Sequence, residues 1–154
     1  MKLAAALTLA ACCACVMLPA AATAGQPAGA IPNAPALDAA GTAAANGAAS
    51  GFLALLDAGN FADSWSQGAA LLRGAVPQDH WNGVVGSMRK PLGDVKSRKL
   101  LSSTYTRSIP GAPDGEYVIV QYQTEFANKA GAIETVTPMR EADGSWKVSG
   151  YFLK

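Results

Sequence analysis

Beyond Cys15 the sequence contains no cysteine; its three, Cys12, Cys13 and Cys15, sit together near the start. A domain lying downstream of them has no disulfide, no thiol nucleophile and no thiolate metal site. Histidine is nearly as scarce. His80 is the only one, so a zinc site built from several His or Cys ligands is poorly supported. Charge is sparse and balanced, with 15% of residues charged and a formal net charge of +1. Such a chain does not attract nucleic acid or an anionic membrane by its bulk field. Missing too are the Gly-x-Ser-x-Gly elbow of a serine hydrolase, a glycine-rich phosphate loop and the alternating acids of an EF-hand. His80 does follow Asp79, but on an expected helix that pair reads as solvated surface. No cofactor is expected.

What is present begins with an apolar leader. Met1 and Lys2 precede an uncharged run from Leu3 to Leu18, then Pro19 and a small-residue ending at Ala22-Thr23-Ala24. The pattern predicts a secretory signal over residues 1–24, cleaved before Gly25, and an exported, periplasmic or secreted protein. The run is too short for a comfortable span, which takes about 20 residues. Leu9-Ala10-Ala11-Cys12 offers an alternative, a lipoprotein box with a lipid anchor on Cys12. Against it, only eleven residues precede the cysteine, and apolar Val16-Met17-Leu18 follows where a polar tether belongs. Removing Lys2 with the leader leaves 11 basic against 11 acidic residues. Residues 25–36 carry three prolines and two glycines and read as a flexible linker. A single domain is expected over residues 37–154. Half of the chain is hydrophobic, but much of that half is alanine, so the core is modest.

Helical spacing comes first. From Leu37 to Gly59 an apolar stripe runs through Gly41, Ala45, Ala48, Ala49, Phe52, Leu55 and Leu56. A second helix is predicted from Asn60, as its cap, to Gly74, with Phe61, Trp65, Ala69 and Leu72 on one face. A third enters at Pro77 and stops at Pro91, with Trp81, Val84, Val85 and Met88 as its stripe.

After these the period changes to two. Strands are predicted over 95–109, with Leu101, Tyr105 and Ile109 sharing a face, and over 116–127, with Val118, Val120, Tyr122 and Phe126 inward. A third covers 132–142 after a turn at 128–131. The last, after Asp143-Gly144, turns Trp146, Val148, Gly150 and Phe152 to one side. Helices followed by a four-stranded antiparallel meander give an α+β fold with about three helices on one sheet face.

Several segments resemble a known bacterial family. They are Leu53-Ala54-Leu55-Leu56-Asp57-Ala58-Gly59 with Ser64-Trp65, Ser97-Arg98-Lys99-Leu100-Leu101, and Pro110-Gly111-Ala112-Pro113-Asp114-Gly115-Glu116-Tyr117. Glu134-Thr135-Val136-Thr137-Pro138-Met139 and Trp146-Lys147-Val148-Ser149-Gly150-Tyr151-Phe152 complete the set. The resemblance is to domain-of-unknown-function family 4019 and covers roughly Ala44 to Lys154. It implies small exported proteins of NTF2-like or cystatin-like cone shape. It carries no catalytic residue across.

Two functional classes follow. The leading expectation is a non-catalytic domain binding a small apolar ligand or another envelope protein. Its site would lie between the sheet face of Tyr122 and Trp146 and the helices carrying Trp65 and Trp81, four residues that line either a pocket or the core. The rival is an isomerase-, dehydratase- or hydrolase-like enzyme, argued by fold analogy alone, in which a desolvated acid works beside a tyrosine. Glu134 is the acid to test first and Asp63 the second, with Tyr105 or Tyr122 as the partner. Arg89, Lys90, Lys96, Arg98 and Lys99 form a local basic cluster, read as a solvated loop or, functionally, as an anion-binding or protein-docking patch. No aromatic platform interleaves them, so nucleic acid is not an expected partner.

Overall fold

The computed structural model describes residues 36–154. The predicted signal segment and nearly all of the linker lie outside the described residues. Four helices, α1 (Ala39–Asp57), α2 (Phe61–Ser66), α3 (Ala70–Ala75) and α4 (Gln78–Arg89), precede four strands. These are β1 (Val95–Thr106), β2 (Tyr117–Phe126), β3 (Lys129–Arg140) and β4 (Trp146–Leu153), paired antiparallel in sequence order. The fold is α+β, as the change of period predicts.

Helix α1 starts where the Asp38 side chain accepts the Gly41 N–H at 2.7 Å, a side-chain cap. Its buried positions, Ala45, Ala49, Phe52, Leu53 and Leu56, recur at helical spacing and lay the helix across all four strands. Small alanines let its first half approach the sheet closely. The helix ends in a Schellman turn. Asn60 N–H donates to Leu55 O, Gly59 N–H donates to Leu56 O, and Gly59 takes the left-handed conformation at φ 77°.

The single helix expected from Asn60 to Gly74 is instead two short ones. Asn60 makes no side-chain cap. The break falls at Gly68-Ala69 because the Ala69 N–H leaves the helix to donate to Val148 O on β4, at 2.8 Å. A Cβ on Gly68 would stand 2.7 Å from Leu72 Cδ2 and 3.0 Å from Trp65 O, so any side chain here would force its neighbours to shift. The detour covers part of the free edge of β4, a place where sheets need protection.

Helix α4 buries Trp81, Val85, Gly86 and Arg89. Val84, expected inside, is 47% exposed. The true stripe is the i, i+4, i+8 series of positions 81, 85 and 89, and its last member is an arginine. Phe52 packs on Trp81 with ring centroids 6.0 Å apart and on Tyr151 at 6.1 Å.

In the sheet, β2 alternates as predicted, with Val118, Val120, Tyr122 and Phe126 buried. On the two edge strands, bulges change the reading. Leu101 is the extra residue between Leu100↔Tyr122 and Ser102↔Gln121, and it is exposed. It does not share a face with Tyr105, and Ile109 lies beyond the strand. Ser149 is the extra residue between Thr137↔Gly150 and Pro138↔Val148. One inserted residue reverses the facing of everything after it. Tyr151 therefore turns toward the helices, and Phe152, expected inside, is 63% exposed. The turn expected over 128–131 is tighter, at Ala127-Asn128, so that β3 already begins at Lys129.

Candidate functional site

The core-facing side of β3 reads Ala132, Glu134, Val136, Pro138, all buried. Period two therefore places a carboxylate at a core position, and Glu134 is 0% exposed. Its neighbour across the sheet is Tyr122, and Thr124, also fully buried, stands next along β2. Burying a carboxylate is tolerated only when it is paired and hydrogen-bonded, and the surrounding elements supply both.

Each Glu134 oxygen accepts two hydrogen bonds. Oε1 takes Arg89 Nη1 at 2.5 Å and the Tyr151 hydroxyl at 2.7 Å. Oε2 takes Arg98 Nε at 2.8 Å and the Thr124 hydroxyl at 2.5 Å. Arg98 also grips Asp57 with a fork, Nη1 to Oδ2 at 2.7 Å and Nη2 to Oδ1 at 2.9 Å, and Arg89 donates to the same Asp57 Oδ1. Two guanidinium groups and two carboxylates thus close a ring of formal charge zero. It ties the last turns of α1 and α4 to β1 and β3, with hydroxyls from β2 and β4. Arg89, 6% exposed, stacks its guanidinium 4.9 Å from the Phe126 ring centroid, a contact worth about 0.5–2 kcal/mol.

The ring sets the protonation of Asp57, Arg98 and the adjoining Tyr151. Burial works against the charged form of Asp57. The hydrogen bonds and charge of Arg98, with the charge of Arg89, outweigh it and hold the carboxyl below its ordinary range. Arg98 loses hydration, but its bonds to Asp57 and Glu134 raise its affinity for the proton further. Burial, reinforced by the Glu134 charge, pushes the Tyr151 hydroxyl above the ordinary tyrosine range. Tyr151 therefore serves as a proton-bearing donor to Glu134.

Beside this ring opens a cleft of about 580 Å³, lined by Leu56, Asp57, Gly59, Phe61, Arg89, Lys90, Gly93, Asp94 and Val95. That volume is in the range of small-molecule sites. Its floor is the Asp57–Arg89 pair. One wall is the Schellman turn after α1. The other is the 90–95 turn, held by Asn128 N–H to Leu92 O at 2.9 Å, Ala127 N–H to Asp94 O at 2.8 Å and Asn128 Nδ2 to Pro91 O at 3.1 Å. A second groove, of about 490 Å³, lies at the opposite end of α1 against Tyr105, Arg107, Glu116, Arg140 and Trp146.

The structure distributes the sequence candidates widely. Glu134 is the buried acid, but its tyrosine is Tyr151. Tyr122 reaches Ser50 at 3.4 Å, and Tyr105 donates to Glu116 at 3.1 Å while accepting from Arg107 at 3.0 Å. Asp63, Asp79 and His80 are exposed. Trp81 and Tyr122 belong to the packed core with Phe52, Leu53, Val85 and Val120, and Trp65 and Trp146 pack against it. Trp81 Nε1 donates to buried Ser64 at 3.0 Å and Trp65 Nε1 to Val76 O at 2.7 Å. The basic cluster does not form one surface. Arg89 and Arg98 turn inward to the two carboxylates, Lys90 stands at the cleft, and Lys96 and Lys99 remain exposed. Asp57, Thr124 and Tyr151 escaped the sequence reading. Thr124 occupies the inward series of β2 and could have been found there; Tyr151 is hidden by the bulge. Among the described residues no three His, Cys, Asp or Glu side chains converge as a metal site.

With this geometry in place, residues 48–151 match the family model described as "Protein of unknown function (DUF4019)", in agreement with the resemblance of the motifs. No curated protein and no solved structure matches the chain.

Proposed function

The chain belongs to the DUF4019 family, and on that premise we propose that it is an exported, non-catalytic domain that binds a small ligand in the cleft beside the Asp57–Arg89 pair. One observation carries the non-catalytic part. A carboxylate offers about four lone-pair positions, and those of Glu134 are taken by Arg89, Tyr151, Arg98 and Thr124. A general base needs a free position within reach of the substrate proton. Glu134 has neither a free position nor exposed surface, which weighs against an isomerase-, dehydratase- or hydrolase-like role. The signal-like leader supports export, and an NTF2-like or cystatin-like cone remains the architecture that the resemblance implies.

The ligand-binding part rests on the cleft. Two turns pinned by backbone hydrogen bonds frame it, so little ordering is needed on binding. Leu56, Phe61 and Val95 supply an apolar side, and the aromatic interior between helices and sheet serves as the packed core. A fragment screen by melting temperature, followed by amide-resolved NMR of the hits, tests this reading. Hits are expected to shift Gly59, Phe61, Gly93 and Val95 while leaving Val120 and Val136 unmoved. Hits confined to another surface, or none, would overturn it, and a partner protein captured on the outer sheet face would replace it.

A further inference from the structure

The charges around the cleft point to a ligand class. Among the described residues the ion pairs join Arg89, Arg98 and Arg140 to Asp57, Glu134 and Glu116. Lys90 and Asp94 line the same cleft, and among the described residues neither has an ion-pair partner, in each other or in another side chain. Lys90 is directed to the Phe61 side. A Cβ built on Gly86 would lie 3.4 Å from the Phe61 ring and 3.8 Å from Lys90 Cε, which puts the lysine stem beside that ring. Asp94 stands four residues along on the 90–95 turn, where its backbone carbonyl accepts the Ala127 N–H at 2.8 Å.

We propose that the cleft binds a zwitterion of the amino-acid or dipeptide class, its carboxylate at Lys90, its ammonium at Asp94 and its apolar side chain on Leu56, Phe61 and Val95. The proposal rests on the cleft being the binding site. The floor pair, Asp57 and Arg89, cancels itself, so the remaining charges are one positive and one negative. A simple anion meets Asp94 as well as Lys90, and a simple cation meets the reverse. A purely apolar ligand desolvates both charges without pairing either. A neutral ligand with separated charges satisfies both.

The test follows the Gly59 and Gly93 amides of the purified protein by NMR during titration. The probes are L-phenylalanine, L-leucyl-L-phenylalanine, N-acetyl-L-phenylalanine, which lacks the ammonium, and L-phenylalaninamide, which lacks the carboxylate. Saturable shifts are expected with at least one zwitterion, the free amino acid and the dipeptide distinguishing the two sources. Each lost charge should weaken binding by about fivefold, the size of an exposed ion pair. Lys90→Gln should abolish the preference for L-phenylalanine over its amide, and Asp94→Asn the preference over the N-acetyl form. Both residues are exposed, and an otherwise unchanged spectrum reports an intact fold. Equal binding of zwitterions and masked analogues overturns this inference while leaving the cleft as a binding site. Silence of the cleft toward these probes and toward every screened fragment overturns both.

Discussion

The helix-facing surface of the sheet has two halves that meet the same demand by different means. Around Val118, Val120, Val136 and Val148, the helices supply Phe52, Leu53, Trp81 and Val85, and burial is held by area and close packing. Around Thr124, Glu134 and Tyr151, they supply Arg89 and Asp57, and burial is held by paired charge. The first half is stabilised by each residue separately, about 1.5–3 kcal/mol for a fully buried apolar side chain. The second is stable only as a set, because taking two charges out of water costs about what their attraction returns. A dry core adapts to substitution, whereas a charge ring fixes which ends of which elements meet.

The difference shows first in single deletions. Glu134→Leu leaves Arg89 and Arg98 facing an apolar side chain and is expected to cost about 3–5 kcal/mol in urea unfolding. Leu53→Ala, in the dry half, should cost about 3 kcal/mol, and Leu53→Met less than about 1.5. The ring therefore lacks the conservative replacement that the core has.

A pH series separates the halves further. Asp57 titrates below its unfolded value in the folded protein, so its contribution is complete above about pH 4 and is lost as the pH falls through the lower folded value. Tyr151 titrates above its unfolded value. Its contribution is complete below about pH 10 and is lost as the pH rises through the folded value. Asp57→Asn should shrink the acid loss and Tyr151→Phe the alkaline loss, while Leu53→Ala lowers the whole curve without changing its shape.

The finest contrast lies between sequence neighbours. Arg98→Lys breaks the fork on Asp57 and should cost about 1–2 kcal/mol. Lys99→Ala, one residue along on exposed backbone, should stay within about 0.5 kcal/mol.

This contrast also marks what could be read from residues alone. The period change gave the helix-then-sheet order, and alternation placed Val118, Val120 and Tyr122 inward. Glu134 was named by fold analogy alone, although alternation along β3 places it inward with Ala132, Val136 and Pro138. Its partners were less legible for particular reasons. Arg89 looked like surface because it stands beside Lys90, although its spacing from Trp81 and Val85 places it on the buried stripe. Tyr151 depended on a bulge at Ser149 that no local signal announces, and Asp57 on the docking of α1 across the sheet. The cleft is assembled from two turns about thirty residues apart, a scale at which periodicity carries no information.

The claim that Glu134 is the keystone of a structural ring is tested most directly by a double-mutant cycle with Arg89. Urea unfolding of Arg89→Met, Glu134→Leu and the double variant gives the coupling between them. Each single change should cost about 3 kcal/mol or more, and the double variant should cost about 2 kcal/mol less than their sum. Additivity within about 0.5 kcal/mol, or a Glu134→Leu variant as stable as the parent, would contradict it.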